Sequence, residues 1–324
     1  MSMLISRRTL MAGGGAAAAL AGLVGAARAQ QPWPLRPVTM VVPYGPGASN
    51  DIFTRALAEI LSRRFNQPFV VDNRPGAGGF TGTNAVSRTA PDGYTFLEMP
   101  NSIAGFKPGM KVDFDPLINL TPIGLLARSP TALVVPSALP VTTVQEFIAY
   151  AQANPTTTFY GYAGIGTTQH QHMEMFNKLT GVRPKGVNYK SSADAQTDLL
   201  AGRLHAMIVT VASTLGQLQS GQLRLIAYTH NNFPGGSPKA PTMAEVGIRG
   251  METAQIWWGI FAPPALPPNI VSAMNAAIND SLKDPGFIAL LARSGATPSP
   301  GTSEDFVRAL KEEVEAAAEF FKAT

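Results

Sequence analysis

The stretch VVPYGPGASNDIFTRALAEIL, Val41 to Leu61, does most to limit what this chain can fold into. The β-branched run Val38–Val42 stops at Pro43, glycines follow at 45 and 47, and Ile52, Phe53, Ala56, Leu57, Ile60 and Leu61 recur at helical spacing. A run apolar on both faces suits a buried parallel strand, and a single apolar stripe suits a helix laid on it. A helix start leaves about four N–H groups without partners and carries about half a positive charge. Glycines let the backbone approach a ligand closely, and Ser49 brings a hydroxyl. This arrangement fits an anion held by neutral donors. The competing reading is that Ser49, Asn50 or Asp51 simply caps its own helix.

Strand and helix signals alternate from there. Phe69–Val71 reads as a strand, Pro75–Gly79 as a turn, Thr81–Arg88 as a short helix and Tyr94–Met99 as a third strand ending at Pro100-Asn101-Ser102. This βαβαβ order implies a doubly wound parallel sheet. Leu133–Pro136 is another apolar strand, and the pattern then restarts. Thr143-Val144-Gln145-Glu146 is a capping box. Strands follow at Thr158–Ala163, Gly186–Tyr189, Leu204–Val211 and Leu223–Thr229, with helices between. Asn231–Pro241 reads as a surface loop. Ile256–Ala262 is apolar, and two helices, Pro268–Lys283 and Ser303–Phe321, close the chain. Using Leu133–Pro136 and Ile256–Ala262 as crossovers gives two α/β domains joined by a two-strand hinge: residues 30–132 with 260–324, and 133–259.

The strand, glycine turn and hydroxyl-bearing helix start recur in YAGIGTTQHQH, where Gly164 and Gly166 precede Thr167 and Thr168. Two such starts facing each other across a cleft can hold an acid between domains. Neither is a dinucleotide fingerprint, because Asn50 and Gln169 stand where the third glycine belongs, and no GxxxxGK[ST] loop is present. His170, His172 and Glu174 would spread over about 200° of a helix, a poor metal set; His170 reads better as a hydrogen-bonding group near the cleft. No serine sits in G-x-S-x-G. Arg74 can meet a carboxylate or tie two loops together, Tyr44 and Trp257 can line an apolar wall, and Trp258 reads as core.

The first 29 residues read as an export leader. Arg7-Arg8 precede a weakly apolar Ala/Gly stretch, and Ala27-Arg28-Ala29 offers a small-x-small cleavage pattern. The paired arginines point to twin-arginine export. Losing Arg7, Arg8 and Arg28, with no acid among those residues, lowers the formal charge from +4 to about +1. No basic tract supports nucleic-acid binding. With no cysteine, disulfides and a lipoprotein anchor are excluded.

Taken in order, RPVTMVVPYGPGASNDIFTRALA, VVDNRPGAGGFTGTNAV, APDGYTFL, GIGTTQHQHMEMF, NYKSSADAQTDLLAGRLHAMI, GQLRLIAYT, APTMAEVGIRGM and WWGIFAPPALPPNIV resemble the periplasmic substrate-binding proteins of tripartite tricarboxylate transporters, the Bug receptors. The resemblance runs from Pro34 to the C-terminus. It implies a periplasmic binding fold of type II, closing as a monomer on a small carboxylate without a cofactor and delivering it to membrane subunits of the transporter. Carried over residue by residue, it places Tyr44, Gly47, Ala48, Ser49 and Asn50 on one side of the cleft and Gly166, Thr167, Thr168 and His170 on the other, bordered by Asn101, Tyr189 and Ser191. Ser191, His205 and Val209 depart from the family pattern. Val209 replaces a frequent aspartate, which weakens an amino-acid-like ligand and favours a plain organic acid. Two alternatives remain open at this point: a ligand-loaded co-receptor for a membrane sensor kinase, and a secreted hydrolase.

Overall fold

A computed structural model describes residues 33–110, 112–231, 237–251 and 254–323. The leader lies outside the described residues, as does the middle of the loop expected over 231–241.

The first α/β unit is built as its periodicity requires. Strand β1 (Val38–Val42) is buried almost throughout, and α1 (Ser49–Phe65) lays Phe53, Leu57, Ala58 and Leu61 over it. The helix stops where Asn66 turns left-handed, with φ 50°. β2 (Phe69–Asn73), α2 (Phe80–Val86) and β3 (Thr95–Pro100) complete the unit. Two short helices, α3 (Phe106–Met110) and α4 (Pro116–Asn119), lead into β4 (Thr121–Pro136), 16 residues long. The second unit runs through α5 (Val144–Ala153), β5 (Phe159–Tyr162), α6 (Thr168–Thr180), β6 (Lys185–Asn188), α7 (Ser192–Leu200), β7 (Met207–Thr210), α8 (Leu215–Gln219) and β8 (Leu223–Tyr228). β9 (Gln255–Ala262) returns to the first sheet. α9 (Pro268–Ser281), α10 (Pro285–Arg293), β10 (Thr297–Pro298) and α11 (Ser303–Ala323) finish the chain.

The two lobes share one strand order. In the first, β2, β1 and β3 are parallel, followed by antiparallel β9 and then β4. In the second, β6 and β5 are parallel, a bridge from Tyr160 to Ala206 leads on to β7, and β4 lies between β7 and β8. β4 therefore serves both lobes. Thr121 to Pro130 pair with β9, and Thr131 to Pro136 with β7 and β8. α1 and α6 follow equivalent strands, β1 and β5, and so start at equivalent places. No helix among the described residues is long and apolar enough to cross a membrane.

Two details differ from the sequence reading. β4 starts twelve residues before Leu133, because prolines at 122 and 130 obscure it. Three helices, not two, close the chain; α10 is the one passed over, although Asp284 caps it and Pro285 opens it.

α11 docks on the first lobe through Phe306, whose ring packs on Trp257 and Phe261 at centroid distances of 5.3 and 4.9 Å. The ring fills the space over Gly259, where a Cβ would come within 2.2 Å of it. Replacing Phe306 by alanine is expected to cost about 3–5 kcal/mol, the range for truncating a buried phenylalanine. Urea unfolding of the leaderless protein checks this, and a loss under about 1 kcal/mol would show that the ring does not govern docking.

Candidate functional site

The two helix starts lie at the carboxyl ends of β1 and β5, and their backbones are shaped by glycine. Gly47 (φ 85°) and Gly166 (φ 76°) both take left-handed conformations that side chains disfavour. Neither helix carries a side-chain cap. The cap position of α1 is Ala48, which has nothing to offer, so the capping expectation for Ser49, Asn50 and Asp51 is corrected. Asp51 turns away from the first turn: Oδ2 accepts from the Gly47 N–H at 2.9 Å, and Oδ1 from Asn73 and Arg55 at 2.9 Å each. These donors hold the carboxyl below its ordinary range despite an opposing burial effect, the largest single contribution. At α6 the cap position is Thr167, whose hydroxyl donates to Gly164 O at 2.9 Å rather than accepting from the helix. α5, α7 and α10, by contrast, are capped by Thr143, Ser191 and Asp284. The first-turn amides of α1 and α6, without a side-chain cap, keep their donor capacity for something else.

The side chains around these turns fall into two groups. Tyr44, Asn101 and Thr168 stand close together. The Tyr44 hydroxyl is 3.3 Å from Ser102 Oγ and 3.4 Å from Gly78 O. Burial raises its pKa above the usual phenol range, with the Ser102 hydrogen bond opposing and Glu98 adding to the rise. Asn101 donates Nδ2 to Gln255 O (3.0 Å) and to Glu313 Oε1 (3.1 Å), and its Oδ1 accepts from Thr168 Oγ1 at 3.5 Å, which joins the lobes. His170 lies behind the second turn. Its Nδ1 accepts from Gly166 N–H at 3.0 Å, its ring stacks on Tyr162 at 4.0 Å, and Phe320 of α11 meets it edge-on at 5.2 Å. Burial lowers the His170 pKa, with Glu174 opposing. The neutral ring therefore carries its proton on Nε2.

The other group is engaged elsewhere. Tyr189 donates to Asp198 at 2.8 Å, and exposed Ser191 caps α7. Among the described residues no side-chain hydrogen bond or ion pair joins Gly47, Ala48 or Ser49 to the second lobe. Arg74 pairs with Asp72 at 2.7 Å. Trp258 packs on Phe53 in the core, and Trp257 is also buried, with Nε1 donating to Glu313 at 3.2 Å. His172 is buried, bonded to Thr131 Oγ1 at 2.9 Å, and pushed down to about 3 by burial.

Asn50 sits beneath the first turn rather than in it. Its Nδ2 donates to both oxygens of Glu98, at 3.0 and 2.9 Å. Glu98 is fully buried, and burial pushes its carboxyl up to about 8 against the lowering effect of Asn50. The sequence reading missed Glu98, although an acid inside the apolar strand TFLEM was the signal.

Residues 53–324 match the model of the tripartite tricarboxylate transporter family receptor. The chain belongs to this receptor family. Protein BugT of Bordetella pertussis is 33% identical over 276 residues, covering 84% of each chain. An R. palustris protein solved with adipate is 34% identical, with TM-score 0.76, covering 90% of this chain and 98% of that one. MatC from Rhodopseudomonas palustris, with bound malate, is 25% identical, with TM-score 0.75, covering 89% and 100%. This receptor has the two-domain periplasmic binding fold. Its family consists of periplasmic solute-binding proteins rather than enzymes.

Glu98 makes the receptor's stability depend on pH. Its folded pKa lies above the unfolded value of 4.5, so the folded state holds a proton that the unfolded state releases. The resulting stability is present below about pH 4.5 and is lost as pH rises toward 8. Glu98→Gln should therefore gain on the wild type between pH 5 and pH 9 by more than about 1.4 kcal/mol, tenfold in the unfolding constant. Urea unfolding at both pH values tests this; a pH-independent difference would mean that Glu98 does not titrate in this window.

Proposed function

We propose that this receptor closes its two lobes on a small organic carboxylate held between the starts of α1 and α6, and then presents it to the membrane subunits of a tripartite tricarboxylate-type transporter. It works as a monomer and reaches the periplasm through the twin-arginine leader at Arg7-Arg8. Its lobes divide where β4 changes sheets at Thr131 and where β9 rejoins the first sheet at Gln255, a few residues from the boundaries drawn from the sequence at 133 and 260. The observation that carries this reading is the pair of equivalent helix starts whose first-turn amides have no side-chain cap.

A carboxylate reaching both starts accepts charge-assisted hydrogen bonds, which are shorter and roughly twice as strong as neutral ones. It makes the full set only when the lobes are shut, so its binding free energy shifts the hinge equilibrium toward closure. Ser49 and Thr168 add hydroxyls at the mouth, and Asn101 links Thr168 to the first lobe. The relatives solved with adipate and malate support a dicarboxylate-sized ligand.

Proline substitution isolates the amides. Ser49 and Thr168 are the first helical residues, and Ala48 and Thr167 before them are extended, at φ −69°, ψ 159° and φ −66°, ψ 158°. That geometry accepts a following proline without disturbing the helix. Ser49→Pro and Thr168→Pro each remove one N–H and one hydroxyl, and each should weaken binding about tenfold or more, a loss of at least about 1.4 kcal/mol. Calorimetry against adipate, malate, citrate and aromatic acids provides the measurement. Failure of every acid to bind, with tight binding of a sugar or a cation, would reject the reading.

A further inference from the structure

The acid beneath the first helix start has no part in the carboxylate site as described so far. Glu98 exposes no surface, and in the sheet register it stands opposite Ile260, which belongs to the same apolar core as Phe53 and Trp258. Among the described residues its carboxyl has one hydrogen-bonding partner, the Asn50 amide, which reaches both oxygens at 3.0 and 2.9 Å. An ionised carboxylate offers about four acceptor positions, so one amide leaves a buried charge there poorly compensated.

Asn50 is the second residue of α1. The helical ladder opens with the bond from Ile52 N–H to Ala48 O at 3.0 Å, so the N–H groups of Ser49, Asn50 and Asp51 have no acceptor within the helix. Thr54 Oγ1 donates to Asn50 O at 2.6 Å, which holds this residue at its backbone while Glu98 holds its side chain. One residue therefore carries both a first-turn amide and the contact with the buried acid. An anion at that amide and a charge on Glu98 would repel each other through the protein interior, where screening is weak.

We propose that Glu98 is a positioning residue that couples carboxylate binding to a proton: in its neutral form it anchors Asn50 and the α1 start, and an ionised Glu98 takes a proton from solvent when an acid binds there. This coupling rests on the carboxylate reading. Burial pushes the carboxyl of the free receptor up to about 8, so below that pH the proton is already in place and binding moves none. Above it the free receptor has lost the proton and the bound anion draws it back, so uptake appears and affinity falls as pH rises. The surroundings leave Glu98 as the group that titrates here. β1, β9 and α2 bring no ionisable side chain, and α1 brings Asp51 and Arg55, paired with each other at 2.9 Å. Tyr44, which feels the Glu98 charge, is raised by burial above the usual phenol range. Farther off, burial brings Glu313 up to about 7, against hydrogen bonds from Asn101 and Trp257, and lowers His170.

The test is calorimetry of the leaderless protein with adipate, malate and citrate, at about pH 8.5 in two buffers of different ionisation enthalpy, which counts the protons moved. An acid that binds should bring a fraction of a proton with it, and its affinity should fall about fivefold or more between about pH 7 and pH 9.5. Glu98→Gln, neutral at every pH, should bind within about twofold of the wild type at pH 7, keep that affinity to about pH 9.5 and take up no proton at pH 8.5. A purely structural role for Glu98 would weaken the variant equally at every pH and leave the proton count unchanged. If Glu98→Gln does not fold, Glu98→Met takes its place. The proposal is overturned if an acid binds the wild type without proton uptake at pH 8.5, or if uptake persists in the neutral variant. Binding of no acid at any pH would instead remove the carboxylate reading, and this coupling with it.

Discussion

One strand belongs to two sheets, and the rest of the molecule is arranged around that fact. β4 gives its first ten residues to one lobe and its last six to the other. The lobes are therefore joined by continuous extended backbone, a connection that transmits rotation better than a flexible linker. Equivalent strand orders on either side put equivalent helix starts at the interface. At the point where β4 changes partners, Thr131 bonds His172 and Thr229, so the crossover is tied into the second lobe by a buried polar set. Burial keeps His172 neutral, which avoids placing a charge at the pivot.

Local chemistry at the cleft follows from what the helix starts lack. At α4, α5, α7 and α10 an aspartate, threonine or serine satisfies the first turn. At α1 and α6 that role goes to no side chain, and the nearby polar groups are turned inward. Asp51 secures the Gly47 loop, Asn50 is held by Glu98, and Thr167 closes its own turn. These groups tie down the loop amides of Gly47 and Gly166 while the first-turn amides of α1 and α6 stay without a side-chain cap. Preorganised neutral donors of this kind hold an anion with little reorganisation, and they avoid the strong hydration of lysine side chains.

Much of this was legible in the sequence, and the parts that were not have identifiable causes. Continuous apolar runs and period-3.6 stripes located both α/β units, and the glycine–hydroxyl turns located both helix starts. The first half of β4 escaped because Pro122, Gly124 and Pro130 read as breakers; the structure accommodates Pro122 with a shift of register between Pro122 and Gly124. The partners of Asn101 escaped for another reason. Glu313 lies 212 residues away, and no local pattern encodes such a pairing. The engagement of Ser191 and Tyr189 by α7 also depends on how that helix packs, which residue type alone does not reveal.

The end of α11 carries a further consequence. Gly105, Gly109 and Gly166 all abut the ring of Phe321, and a Cβ at Gly109 or Gly166 would come within 2.6 or 2.3 Å of it. Two of these glycines belong to the first lobe and one to the second, so a single aromatic side chain is shared across the moving interface. During evolution Gly109, Gly166 and Phe321 are not free to drift one at a time. Enlarging Gly109 or Gly166 forces the ring at 321 to shift or shrink, and either change would loosen the seam between the lobes.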